Sequence, residues 1–314
     1  MEVRTSWSVA SGPNRTEFAS RDPSTRVRSG LLPFPMGRRD EAAVQLPPRF
    51  ADGPWPAVAF ALAFTLWLLV SNGLTSSLLG AERSYLVQQL LNVPSGLVQL
   101  AIAYAFLRHG GVRIRDIGAG ARQVVPAVIA VLAVVAALNV AVIVLVLVAG
   151  EPLAFGWFAL YRSPPFELSA AAIGVAAMAQ YLFVGPIEEL AFRGYLQNKL
   201  ASMLQLGRPR VATALAVVGA ALVFAVLHVP TLLLLGGGGW GALPLLVASG
   251  VLFGTIYALT RNLVLVALLH GIGNLWPLAV DPGPVGWPDW IVVLTLYAAL
   301  VVGYRRWAAR RRPS

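Results

Sequence analysis

The sequence predicts an all-α polytopic membrane helix bundle of about eight transmembrane helices with no β-sheet. Three observations carry that expectation. Of the 314 residues, 57% are hydrophobic and only 12% charged, with a mean hydropathy of +0.71, which leaves too little polar surface to enclose a water-soluble globule. Apolar runs of about 20 residues, the length that crosses roughly 30 Å of hydrocarbon, recur about eight times. No stretch sustains the alternation of a half-buried strand, and no repeat of about 20 to 50 residues is visible.

Residues 1–52 mix Arg, Ser, Pro and acidic residues without an apolar period, the composition of a disordered, basic cytoplasmic extension. They lack the apolar core of a signal peptide. Met36, followed by Gly37-Arg38-Arg39, offers a second initiator. The expected spans lie near 55–79, 85–107, 124–149, 169–192, 211–235, 242–260, 262–280 and 287–304, which makes 53–304 one membrane domain followed by a basic cytoplasmic tail over 305–314.

The loops between those runs alternate in charge. Basic residues gather in the extension, in the second loop (Arg108, Arg113, Arg115, Arg122), the fourth (Arg193, Lys199, Arg208, Arg210), the sixth (Arg261) and the tail (Arg305, Arg306, Arg310, Arg311, Arg312). The intervening loops carry few: Arg83 and Arg162, then acidic Asp281 and Asp289. An even number of spans with both termini in the cytoplasm satisfies every loop, as in a bacterial inner membrane protein. Trp55, Trp276, Trp287, Trp290 and Trp307 lie near span ends, where interfacial anchors belong. The same arrangement accounts for the net charge of +10 without nucleic acid as a partner. The bilayer is the partner implied. With no cysteine, disulfides and cysteine-ligated zinc are excluded, so any metal needs His and carboxylate ligands.

Within or at the ends of these apolar runs stand Glu188, Glu189, Arg193, His228, His270 and Asn274. A charged side chain at mid-bilayer costs roughly 2.5 to 3.5 kcal/mol on insertion scales, so such residues mark function by default. In Gly185-Pro186-Ile187-Glu188-Glu189-Leu190-Ala191-Phe192-Arg193-Gly194, residues four apart share a helix face. Glu189 can therefore pair with Arg193, while Glu188 turns about 100° away and is left free as a general base. The bland alternative is an E/E/R cluster solvated at the cytoplasmic end of the fourth span. Phe224-Ala225-Val226-Leu227-His228, closed by Pro230, carries a lone imidazole that in most helices would be a packing residue. His270-Gly271-Ile272-Gly273-Asn274 aims an imidazole and a carboxamide at one spot, and its two glycines let a neighbouring backbone come close. His109 sits in a basic loop and suggests nothing.

Taken in order, Glu-Glu-x-x-x-Arg, Phe-x-x-x-His and His-x-x-x-Asn on successive apolar helices resemble the CPBP (Abi, or CaaX-protease-like) intramembrane proteases. That group includes the endopeptidase that trims prenylated CaaX proteins and bacterial members linked to bacteriocin processing or self-immunity. The resemblance covers roughly 165–280 and is complete at Glu188, Glu189, Arg193, Phe224, His228, His270 and Asn274. It implies a membrane-associated peptide or protein substrate. Glu188 and His228 would hold and deprotonate the attacking water, His270 and Asn274 would bind the oxyanion, and Glu189 and Arg193 would organise the site.

Glu188, His228 and His270 could alternatively supply an open tetrahedral zinc site with water as the fourth ligand. The His-Glu-x-x-His pattern is missing, and the balance of expectation is against an obligatory metal. Depth along the helices poses a separate problem. Counted at 1.5 Å per residue, His228 lies about 25 Å along the fifth span, while Glu188 sits near the end of the fourth. Either the fifth span begins later, or Gly185-Pro186 re-aims the Glu188 helix into the bundle. Two other function classes remain: a proton-coupled transporter relaying through Glu188, His228 and His270, for which no inverted repeat is visible, and a non-catalytic immunity or scaffold protein.

Overall fold

The computed structural model describes residues 47–79, 85–155, 170–204, 208–235, 240–280 and 290–310. The first helix, α1 (Trp55–Leu79), takes Pro56 in its opening turn, where a missing N–H has no intrahelical partner to lose. It packs against α2 (Tyr85–His109), and a 3-10 turn over Ile114–Ile117 leads to α3 (Ala121–Val148). The central run is α4 (Ala170–Met178), a π-helical stretch over Ala179–Val184, α5 (Gly185–Glu189), a second π stretch over Leu190–Gln197 and α6 (Asn198–Met203). Then follow α7 (Pro209–Leu227), α8 (Val229–Leu235), α9 (Ala242–Thr260), α10 (Leu263–Asn274) and α11 (Trp290–Arg310).

Helix occurs at all eight expected runs, and among the described residues no strand forms, only an isolated bridge between Phe155 and Val280. Among the described residues, five helical segments are long and apolar enough to cross a membrane. With that composition, the chain is an integral membrane protein.

Four boundaries differ from expectation. The fourth run does not end at residue 192 but stays helical to Met203, so Glu188 lies in its middle. Arg193 and Lys199, counted among loop charges, are 1% and 0% exposed. They tolerate burial because each has a partner: Arg193 faces Glu189, and Lys199 binds Asp52 through both its carboxylate and its carbonyl. Asp52 in turn corrects the extension expected over 1–52. Phe50 packs edge-on against Tyr195, and Ala51 donates its N–H to the Gly110 carbonyl, so docking has begun by residue 50. The disorder expected of residues 1–46 lies outside the described residues, as do Arg83, Arg162, Asp281, Trp287 and Asp289.

The seventh run is helical only over Leu263–Asn274, 12 residues or about 18 Å, and then turns extended at Leu275. Asn139 of α3 holds the chain beyond, accepting from the Ala279 N–H and donating to the Pro277 carbonyl. Trp276 is accordingly 8% exposed, a core residue rather than an interfacial anchor. The last helix continues to Arg310, which places Arg305 and Arg306 on its final turns rather than in a free tail.

An aromatic core of Phe60, Phe64, Phe192, Tyr195 and Phe224 fastens α1, the second π stretch and α7 together. α10 lies against α3 and α5, and α7 runs along α9.

Candidate active site

Pro186 has no N–H to give the carbonyl four residues before it, and the helix answers by widening to π geometry ahead of α5; a second π stretch follows α5. Gly185 then lets this irregular turn press on α10. A Cβ there would lie 2.6 Å from the Ala267 carbonyl oxygen and 3.1 Å from the Gly271 nitrogen. Reciprocally, a Cβ on Gly271 would meet Tyr181 Cδ1 at 2.8 Å and the Gln180 carbonyl oxygen at 3.0 Å. The two backbones are in contact only because both positions are glycine. That contact carries the glutamates to His270. It also resolves the depth mismatch, since α5 sits inside the bundle rather than at its edge.

Glu189 is fully buried and faces Arg193 at 2.9 Å, as the four-residue spacing requires. The contact is ionic rather than an aligned hydrogen bond, because Arg193 Nη1 lacks hydrogen-bond geometry. The guanidinium is further held between the rings of Phe224 and Phe253, 5.2 and 5.8 Å from their centroids, and donates to the Gly250 carbonyl at 3.2 Å. Glu189 also accepts Nδ1–H of His270 at 2.7 Å. Tied on that side, the His270 imidazole turns Nε2 toward Glu188, 3.5 Å away. Phe253 stacks on His270 with centroids 5.1 Å apart and planes 15° from parallel, which fixes the ring's tilt.

His228 ends α7. Its backbone N–H tightens onto the Ala225 carbonyl, releasing that of Phe224, and the imidazole Nδ1–H takes the released carbonyl at 2.7 Å. With Nδ1 spent, Nε2 is the nitrogen left for chemistry. The bland expectation for a helical histidine is therefore half right: one nitrogen is structural.

Glu188, 18% exposed where Glu189 is closed off, stands with His228 on the wall between two cavities. One, about 180 Å³, opens toward α1 and α2 and is lined by apolar side chains such as Phe64, Leu68 and Phe183 interspersed with amides and hydroxyls. The other, about 390 Å³, is lined by apolar groups including Leu245, Leu252 and Tyr297, and it gathers Glu188, His228, His270 and Asn274 on one surface. All the motif side chains thus meet, although Asn274 is engaged elsewhere, donating to Gln180 Oε1 at 2.9 Å.

Residues 170–276 match the family model of type II CAAX prenyl endopeptidases, Rce1-like. No curated protein matches the chain. The Rce1-like segment begins at α4 and ends at Trp276, so it spans the Glu-Glu helix, α7 through α10 and every motif residue, as the resemblance to CaaX-type intramembrane proteases requires. The match supports an intramembrane endopeptidase.

Glu188, His228 and His270, the three zinc ligands the sequence allows, line one cavity, although among the described residues no three His or carboxylate side chains stand as close together as a single ion would need. Sequence reasoning also missed Phe253, Gln180 and Asp52. An aromatic in an apolar helix and a lone amide in an irregular one give no periodic signal, whereas Asp52, the last acid before the first apolar run, was the legible partner for an otherwise orphaned lysine.

Proposed function

We propose that the chain is an intramembrane endopeptidase that hydrolyses a peptide bond of a membrane-associated substrate with water activated by Glu188 and His228. The observation that carries this is the placement of Glu188, on the wall shared by both cavities and facing the Nε2 of a histidine whose other nitrogen is fixed. A peptide crossing that wall presents its carbonyl to the cluster of Glu188, His228 and His270.

A water there gives its hydrogens to the Glu188 carboxylate and to His228 Nε2, both acceptors in their resting forms. Glu188 takes one proton as the oxygen adds to the scissile carbon. The carbonyl oxygen becomes an oxyanion, received by His270 Nε2–H in its doubly protonated form and by the Asn274 amide once Gln180 releases it. Glu189, itself balanced by Arg193, holds the imidazolium from behind. With Glu188 ionised, the four groups sum to zero net charge, the condition for stability in an apolar interior. Collapse breaks the C–N bond, and the proton held by Glu188 passes to the leaving nitrogen.

Glu188→Gln is nearly isosteric and removes only the base. Its turnover should fall by about 10²- to 10⁴-fold with the unfolding midpoint retained. Full activity in Glu188→Gln removes the mechanism. Prolonged chelation should leave the wild type active, and a loss that zinc restores would replace glutamate-activated water with a metal.

A further inference from the structure

Tyr297 stands on α11, beyond the end of the matched segment at Trp276, and no role in the proposed chemistry falls to it. Its side chain is enclosed, 3% exposed, yet it lines the apolar cavity of about 390 Å³ together with Glu188, His228, His270 and Asn274. Val301, four residues on, is buried on the same helix face, and α11 packs against α3 and α9.

A phenol enclosed by apolar side chains ordinarily finds a hydrogen-bond partner, because an unbonded hydroxyl forfeits its contacts with water. Tyr257 donates to the Ile117 carbonyl at 3.0 Å and Tyr181 to the Leu275 carbonyl at 2.5 Å. Tyr195 lacks a partner, its hydroxyl sealed inside the aromatic core. The Tyr297 hydroxyl has none among the described residues either, but its residue forms a cavity wall, where a ligand can supply one. Ser249, the other hydroxyl residue of that wall, is already spent on the Leu246 carbonyl at 3.0 Å. Phenylalanine would fill the place of Tyr297 without the cost of an unbonded oxygen, so within the protein alone the hydroxyl contributes nothing to the fold.

Phe253 relates Tyr297 to the reacting groups. It stacks on His270 with centroids 5.1 Å apart and meets the Tyr297 ring at 6.5 Å. A single ring thus links Tyr297 to the oxyanion donor. Extended chain advances about 3.3 Å per residue, so a peptide whose scissile carbonyl lies at His270 passes Tyr297 roughly one to three residues away. Each of its carbonyls loses water on entering the apolar space, as the phenol O–H has done, and a bond between the two relieves both.

We propose that the Tyr297 hydroxyl donates a hydrogen bond to a backbone carbonyl of the bound substrate, away from the scissile bond, which makes Tyr297 a substrate-binding residue that α11 adds to the site. The inference rests on the endopeptidase reading of Glu188 and extends it to a contact that sets how the substrate lies in the apolar cavity.

The test uses full-length protein in detergent micelles and a random-sequence library of quenched-fluorescent peptides, each made with and without an S-farnesyl cysteine to give the cavity apolar bulk. A peptide whose cleavage Glu188→Gln abolishes is chosen. Tyr297→Phe keeps the ring and removes one oxygen. It should raise KM about three- to tenfold with kcat little changed, the loss expected for one neutral hydrogen bond to substrate. The thermal midpoint should hold or rise, because the fold gives up an unbonded polar atom; a hydroxyl bonded within the protein would lower it on removal. The chosen peptide is then remade with the carbonyls flanking the scissile bond exchanged one at a time for thioamides, which accept hydrogen bonds more weakly. One exchange should raise KM for the wild type and cost Tyr297→Phe nothing further, the non-additivity of a shared bond. Unchanged KM in Tyr297→Phe, a lowered midpoint, or full additivity at every carbonyl overturns the role of the hydroxyl and leaves the endopeptidase reading standing. Absence of any Glu188-dependent cleavage across the library overturns that reading and the inference with it.

Discussion

Replacing Arg193 with alanine should unfold the protein more readily than it disables it. The side chain is 1% exposed, and its guanidinium lies 2.9 Å from Glu189, whose own side chain is closed to solvent and is shared with His270. Removing one partner of a fully buried pair leaves the other uncompensated, at a cost of order 3 to 5 kcal/mol. The cation–π contacts with Phe224 and Phe253 and the bond to the Gly250 carbonyl belong to the same cluster, so their losses do not simply add. For a bundle of this size each kcal/mol moves the midpoint by about 2 to 4 °C, which predicts a drop of roughly 6 to 20 °C in detergent. The pair Glu189→Gln with Arg193→Met removes both charges at once and should recover much of that loss, because a neutral amide is cheaper to bury than an orphaned carboxylate. Its amide oxygen can still accept Nδ1–H of His270. The measurement is a double-mutant cycle on thermal midpoints, with turnover followed in parallel. An Arg193→Ala protein with a normal midpoint and no turnover would show that Arg193 acts on substrate. A double variant no more stable than the single one would show that the two charges are not coupled.

Three further outcomes follow from the packing and the charge pattern. Deleting residues 1–43 should leave the midpoint unchanged, whereas deletion through Asp52, or Asp52→Ala alone, should destabilise the fold by the several kcal/mol that an unpaired buried Lys199 entails and lower the midpoint accordingly; equal midpoints for the two truncations would refute the docking of Asp52. Gly185→Ala should cost about 1 to 3 kcal/mol and most of the turnover, since backbone at Ala267 cannot yield as a side chain would, and wild-type behaviour would mean that α5 and α10 are not in contact. Reporter fusions at Gly241 and at the carboxyl terminus should fall on opposite sides of the membrane, because Arg208 and Arg210 keep the fourth loop basic even with Arg193 and Lys199 withdrawn into the bundle; the same side for both would end the eight-span topology.

What could be read in the sequence was whatever has a period or a fixed spacing. Apolar runs announced the helices, and the four-residue interval between Glu189 and Arg193 announced their pairing, because helix geometry leaves those side chains no other relation. At His270 and Asn274 the same interval announced a shared surface but not the hydrogen-bond partners. Both line the apolar cavity, yet His270 is claimed by Glu189 and Asn274 by Gln180, partners 81 and 94 residues distant that no local rule connects. Where the fourth helix ends was hidden for a related reason. Polar residues after Phe192 look like a loop when each is judged alone. Arg193, Gln197, Asn198 and Lys199 become helix only when Glu189, the Gly254 carbonyl, Tyr257 and Asp52 are there to receive them. The buried charges of this chain are thus legible as pairs and invisible singly. That is also why its site forms where two helices are thinned to glycine: Gly185 and Gly271 bring the backbones into contact, and contact places Glu189 within reach of His270 and the free carboxylate of Glu188 beside the nitrogen that remains.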